Sequence, residues 1–219
     1  MTPDALVRLV AGCVLQYPGD RFHDELPRLR AALAGAPAEP AALLGAFLDE
    51  AGGMTPIGLC ERYTSTFDTR NRRCLYLTWW TDGDTRRRGL SLVRLKRIYR
   101  DFGLEYAGEG LPDFLPAALE FAALREEAGT ELLQEHRAGL ELLRLALTES
   151  ASPYARVLEA VCTTLPGPSP ATKAEAKALA RSGPPQELVG AGSPPEPFGP
   201  GIDRPVDLPW PTSPERKTA

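Results

Sequence analysis

The sequence predicts an all-α fold: a single helical-bundle-like domain of about eight helices over residues 1–165, then a proline-rich, largely disordered tail over 166–219 with one weak helix. Three observations predict it. Apolar residues recur at spacings of three and four through most of the first 165 residues, the period of a half-buried helix. Between these stripes stand short punctuations such as Pro18-Gly19, Gly52-Gly53 and Asp82-Gly83-Asp84. Only Leu75 to Trp80 has strand propensity, and no other segment offers it a partner strand.

The elements follow in order. Thr2 can cap a first helix with Pro3 at its first position, and Leu6, Val10, Cys13 and Tyr17 form its stripe. Phe22, Leu26, Leu29 and Leu33 make the second stripe, with Pro27 expected near the first turn. Leu43, Leu44, Phe47 and Leu48 define a third helix over about 40–51. Thr55-Pro56 repeats the cap-plus-proline start for a fourth, through Ile57, Cys60, Tyr63 and Phe67. Leu75 to Trp80 is most economically a short buried helix.

Asp84 is the expected N-cap of a long helix over 85–102, with Leu92, Leu95, Tyr99 and Phe102 inward and Gly103 closing it. Pro112 leads into a helix through Leu115, Leu119 and Ala122. Gly129-Thr130 separates it from a helix over about 130–148, where Leu132, His136, Leu140, Leu143 and Leu147 share a face. Tyr154, Val157, Leu158 and Val161 mark the last core helix.

Residues 166–219 hold 13 of the 22 prolines and few large apolar groups, too little burial to offset ordering entropy. A weak helix over 171–180 and two short segments, around Phe198 and Trp210, are its features.

Composition excludes some roles. No apolar run approaches the roughly 20 residues of a membrane span, so no direct membrane insertion is expected. The first residues lack a basic leader and a cleavage site, and the expected compartment is the cytoplasm. Cys13, Cys60, Cys74 and Cys162 are far apart, which suits buried thiols and not a disulfide or zinc framework. No phosphate-cradling glycine loop, nucleophile motif or ligand pair for His23 or His136 is present, so neither enzyme, cofactor nor metal site is expected.

The net charge of −4 hides a block at 84–100 with 7 basic and 1 acidic residues. That basic helix is the basis of an alternative reading, a phosphate-ligand or nucleic-acid binder. The pI near 5.4 weakens it, and no nucleic-acid partner is expected. The Arg86-Arg87-Arg88 run at the helix N-terminus opposes the macrodipole, a local conflict that implies an ion-pair network or a ligand contact.

The densest aromatic and basic segment is 63–121. Its ordered residues Phe67-Asp68, Leu75-Tyr76-Leu77-Thr78, Gly83-Asp84-Thr85-Arg86, Arg88-Gly89, Leu111-Pro112-Asp113, Leu115-Pro116 and Leu119-Glu120-Phe121 closely resemble the NarJ family. The resemblance implies an all-helical cytoplasmic assembly chaperone of respiratory nitrate reductase, related to other molybdoenzyme maturation proteins. Such a chaperone binds the apo catalytic (alpha) subunit, including its N-terminal segment. It holds that subunit competent for molybdenum-cofactor insertion and membrane assembly, without being an enzyme. Molybdenum-cofactor delivery proteins are a further expected partner.

Where the family usually has His after Pro-Asp, this chain has Phe114. A partner helix needs an apolar groove rimmed by charge. Tyr76, Trp79, Trp80 and Tyr99 are the expected anchors and Arg86, Arg88, Asp113 and Glu120 the expected rim. Trp and Tyr at helical spacing are more often core than groove, and Asp113 reads most simply as an N-cap.

Overall fold

The computed structural model describes residues 1–68, 73–106 and 110–182. The chain divides into two compact units, Met1–Gln186 and Glu187–Ala219, and the second lies outside the described residues, together with the segments around Phe198 and Trp210.

The described residues are all-α. The helices are α1 (Pro3–Val14), α2 (Phe22–Leu33), α3 (Ala38–Gly52), α4 (Pro56–Phe67), α5 (Leu77–Asp82), α6 (Arg86–Asp101), α7 (Leu115–Leu124), α8 (Glu126–Glu135), α9 (Arg137–Glu149), α10 (Tyr154–Thr163) and α11 (Lys173–Ser182). Helix α1 lies against α7 and α10, α3 packs on α10, and α9 lies against α10 and α11. The aromatic centre is Tyr63, Phe67, Phe47 and Tyr154, with Tyr154 ringed by the other three at 4.8–6.1 Å. No helix among the described residues is long and apolar enough to cross a membrane.

Local chemistry explains most boundaries. Thr2 accepts the Ala5 N–H and Thr55 accepts the Gly58 N–H, the two expected caps. Gly103 turns at φ 73° after α6, and Gly83 at φ 61° after α5. Leu75 to Trp80 divides its behaviour. Tyr76 pairs with Phe114 in an isolated antiparallel bridge, where Leu77 N–H donates to Asp113 O at 2.9 Å and Leu115 N–H to Leu75 O at 2.7 Å. Helix α5 then starts at Leu77.

Several expectations need correction. Tyr17 lies beyond α1 and is 57% exposed, and Ile57 is 74% exposed while Leu59 takes the inward place in α4. Phe102 follows α6 and is also exposed. Pro27 lies inside α2, past its first turn. Thr85, not Asp84, stands at the N-cap of α6. Of the thiols only Cys162 is buried, the others being half-buried.

The break expected at Gly129-Thr130 falls at Arg125, with a second at His136, so one expected helix is two. Gly129 is inside α8 for a packing reason: a Cβ there would lie 2.1 Å from Ala122 Cα. Its smallness permits the close crossing of α7 and α8.

Packing does not stop at residue 165. Arg137, Glu141 and Arg144 form a buried ion-pair triad on α9. Its guanidiniums also donate to the carbonyls of Pro166, Gly167 and Pro170, and α11 follows with Ala176 fully buried.

His136 is 6% exposed at the α8–α9 junction. Burial pushes its imidazole below the ordinary value, with Glu135 opposing and Arg94 reinforcing the shift. The folded chain therefore keeps the ring neutral where an unfolded chain, titrating near 6.5, begins to bind a proton. That contribution to stability is present above about pH 6.5 and is lost as the pH falls below it. The urea midpoint is expected to drop between about pH 7 and 5.5, and to drop less in His136→Leu.

Candidate functional site

The bridge between Tyr76 and Phe114 joins the start of α5 to the start of α7 and divides two environments. On one side is a cavity of about 520 Å³. Its walls are Tyr76, Tyr99, Tyr106, Phe114 and Phe121, and Glu105 and Glu120 also line it. Tyr76 and Phe114 rings stand 5.6 Å apart, and Tyr99 packs against Phe121 in a tilted contact at 4.9 Å. Tyr99 is held by donating its hydroxyl to Pro112 O at 2.8 Å. Burial raises the phenol pKa of Tyr76, Tyr99 and Tyr106, so all three stay neutral at physiological pH. The cavity has the size of a ligand pocket, with five aromatic side chains and two carboxylates on its lining.

On the other side is a polar cluster. Asp113 is fully buried. Its Oδ2 accepts the Thr78 N–H at 3.2 Å and the Thr78 hydroxyl, and lies 3.5 Å from the Arg88 guanidinium. Arg88 Nε donates to Thr78 Oγ1 at 3.2 Å. The guanidinium also stands over the rings of Tyr76 at 5.6 Å and Trp79 at 5.9 Å, within cation–π range. One residue from each of α5, α6 and the start of α7 is thus tied into the wall that presents Tyr76 and Phe114. Asp113 is not an N-cap: Phe114 holds that place, and the carboxylate points to α5.

The eight sequence-predicted site residues therefore separate. Tyr76, Tyr99 and Glu120 line the cavity. Asp113, Arg88 and Trp79 form the cluster behind it. Trp80 packs elsewhere, donating Nε1–H to Cys74 O at 3.0 Å and lying so close to Gly139 that a Cβ there would be 2.6 Å away. Arg86 is exposed on the first turn of α6 and is not among the cavity-lining residues. Tyr106 and Phe121 are not among the sequence-predicted site residues: Phe121 is legible only as the end of the Leu119-Glu120-Phe121 motif, and Tyr106 has no local signal beyond its place near Gly103. Phe114, noted only as a departure, is a cavity wall. No group of three or more His, Cys, Asp or Glu among the described residues could hold a metal ion.

The helical body shares its fold with a protein of known structure. A solved structure from Archaeoglobus fulgidus, assigned as a candidate redox enzyme maturation protein, matches with a TM-score of 0.51 at 20% identity, covering 82% of this chain and 92% of that one. The chain belongs to the nitrate reductase delta subunit family, whose model matches residues 30–160.

Relatives agree. NarJ of Bacillus subtilis (strain 168) is 32% identical over 156 residues, covering 70% of this chain and 84% of that protein. The nitrate reductase molybdenum cofactor assembly chaperone NarJ of Escherichia coli K12 is 30% identical over 151 residues, covering 67% and 64%. The nitrate reductase-like protein NarX of Mycobacterium tuberculosis H37Rv is 41% identical over 155 residues, 70% of this chain. The match spans only 23% of NarX.

Proposed function

We propose that this chain is a maturation chaperone for a nitrate reductase and not a catalyst. It binds the apo catalytic subunit, seats that subunit's N-terminal segment in the cavity between the α5 and α7 starts, and keeps the subunit competent for molybdenum-cofactor insertion and membrane assembly. The work is done in the cytoplasm, with cofactor delivery proteins as transient partners. The observation that carries this reading is the aromatic cavity with Glu105 and Glu120 on its lining, in a member of this family. An amphipathic helix would bury its apolar face against Tyr76, Phe114 and Phe121 and leave the rest of its surface in water. Phe114 makes that wall more apolar than the usual histidine would.

Calorimetric titration with a peptide from the cognate subunit's N-terminus tests this. The native sequence is expected to bind and a scrambled one not to. Tyr76→Ala and Phe114→Ala are each expected to weaken binding roughly tenfold or more, as truncated aromatic anchors do. Equal binding of native and scrambled peptides would defeat the proposal.

A further inference from the structure

Helix α6 holds the core by a narrow seam in which only Leu95 and Tyr99 are buried. On its opposite face Arg86, Leu90, Val93 and Arg97 follow one another at helical spacing, with Arg87, Lys96 and Arg100 beside them. Leu90 is 74% and Val93 68% exposed. Arg88 pairs with Asp113, Arg94 with Glu135 and Arg97 with Asp101. Among the described residues Arg86, Arg87, Lys96 and Arg100 form no ion pair. Neither the buried cluster nor the cavity uses this face. Its cations even oppose the macrodipole at the first turn.

We propose that this face is a peripheral docking surface for an anionic lipid bilayer. Leu90 and Val93 enter the headgroup boundary while the surrounding guanidinium and ammonium groups lie over acidic headgroups. Charge complementarity requires an anionic occupant, and the aliphatic pair at the centre of the face selects among anionic surfaces. A nucleic-acid backbone answers the cations but leaves Leu90 and Val93 against phosphate and sugar. A folded acidic protein would need a concave apolar cleft matched to a convex helix. A bilayer interface conforms to such a face, and a helix with cations around aliphatic residues lies on it and does not cross it. Long arginine and lysine stems reach the headgroups while their aliphatic parts stay near Leu90 and Val93.

Flotation of the full chain with phosphatidylglycerol-containing vesicles, phosphatidylcholine vesicles and a single-stranded oligonucleotide tests the proposal. Binding is expected to the anionic vesicles alone and to weaken as salt rises. Arg86→Gln/Arg87→Gln is expected to lower it roughly fivefold per charge removed. Leu90→Ser/Val93→Ser is expected to lower it at least as much at unchanged charge. These side chains are exposed, so both variants should keep the parent's circular dichroism and its affinity for the N-terminal peptide. Failure to float with anionic vesicles at low salt, wild-type flotation of Leu90→Ser/Val93→Ser, or oligonucleotide binding without vesicle binding would each overturn it.

Discussion

Replacing Asp113 by alanine is expected to lower the unfolding free energy by about 2–4 kcal/mol, because it removes a fully buried acceptor from the buried Thr78 and the partly buried Arg88. The carboxylate is fully buried and is the acceptor shared by Thr78 and Arg88. Without it, the Thr78 N–H and the Arg88 guanidinium lose an acceptor in a site water does not reach freely. The isosteric Asp113→Asn keeps the shape but removes the charge that faces Arg88, so an intermediate loss is expected. For a chain of this size the alanine change corresponds to a fall in Tm of about 10 °C.

The effect reaches the cavity. The Asp113 carboxylate holds the Thr78 N–H at the start of α5, and the next residue, Phe114, is a wall of the cavity. Peptide affinity is therefore expected to fall with stability in Asp113→Ala, whereas Phe114→Ala should lose affinity with a smaller stability cost. Urea denaturation beside peptide titration separates the two. A loss below about 1 kcal/mol for Asp113→Ala would show that the cluster is not structural.

Arg8 is the second position of large expected effect. Its side chain is 1% exposed and pairs with no carboxylate among the described residues. It donates instead to Thr164 Oγ1 at 3.1 Å, Thr164 O at 2.9 Å, Thr130 Oγ1 at 2.8 Å and Ala122 O at 3.4 Å. Thr164 caps the C-terminus of α10, and Ala122 lies in the last turn of α7. Carbonyls at helix C-termini lack intrahelical donors and carry partial negative charge, so one guanidinium satisfies the ends of two helices from within α1. Burial lowers the Arg8 pKa while Asp4 and Glu126 raise it, which leaves the group charged.

Arg8→Ala is expected to cost about 3–5 kcal/mol, since it opens a cavity and strands buried acceptors. Arg8→Met, which fills the volume, should recover only part of this. Arg8→Lys should fail too, because a single ammonium cannot span acceptors on α7, α8 and α10. Chemical denaturation of the three variants checks the order. Equal stability of Arg8→Met and the parent would mean that the carbonyls find water without cost.

The contrast between these two positions explains what could be read from the chain. Asp113 stands inside an ordered motif and is legible as a site residue, but the chain alone suggests a helix cap where the structure turns the carboxylate to α5. Arg8 was invisible, since a lone arginine in an amphipathic helix reads as solvated. Nothing local announces that Thr164, more than 150 residues away, will bury it. Tyr76 and Tyr99 were legible as aromatics in a dense segment, but Trp80 looked equivalent to them. What separates them is that Gly139 on α9 leaves room for Trp80 and draws it from the cavity.

The sequence by itself determined the all-helical class, the caps at Thr2 and Thr55, and the turns at Gly83 and Gly103. It also determined the family, through the ordered motif between Phe67 and Phe121. Those features depend on interactions within a turn or two of chain, or on residue order alone. Tertiary structure alone decided that Gly129 lies within a helix, that Arg8 serves two helix ends, and that α11 docks on α9. It also decided which aromatics face the cavity. Each of these depends on contacts between residues far apart in the chain, which helical periodicity does not encode.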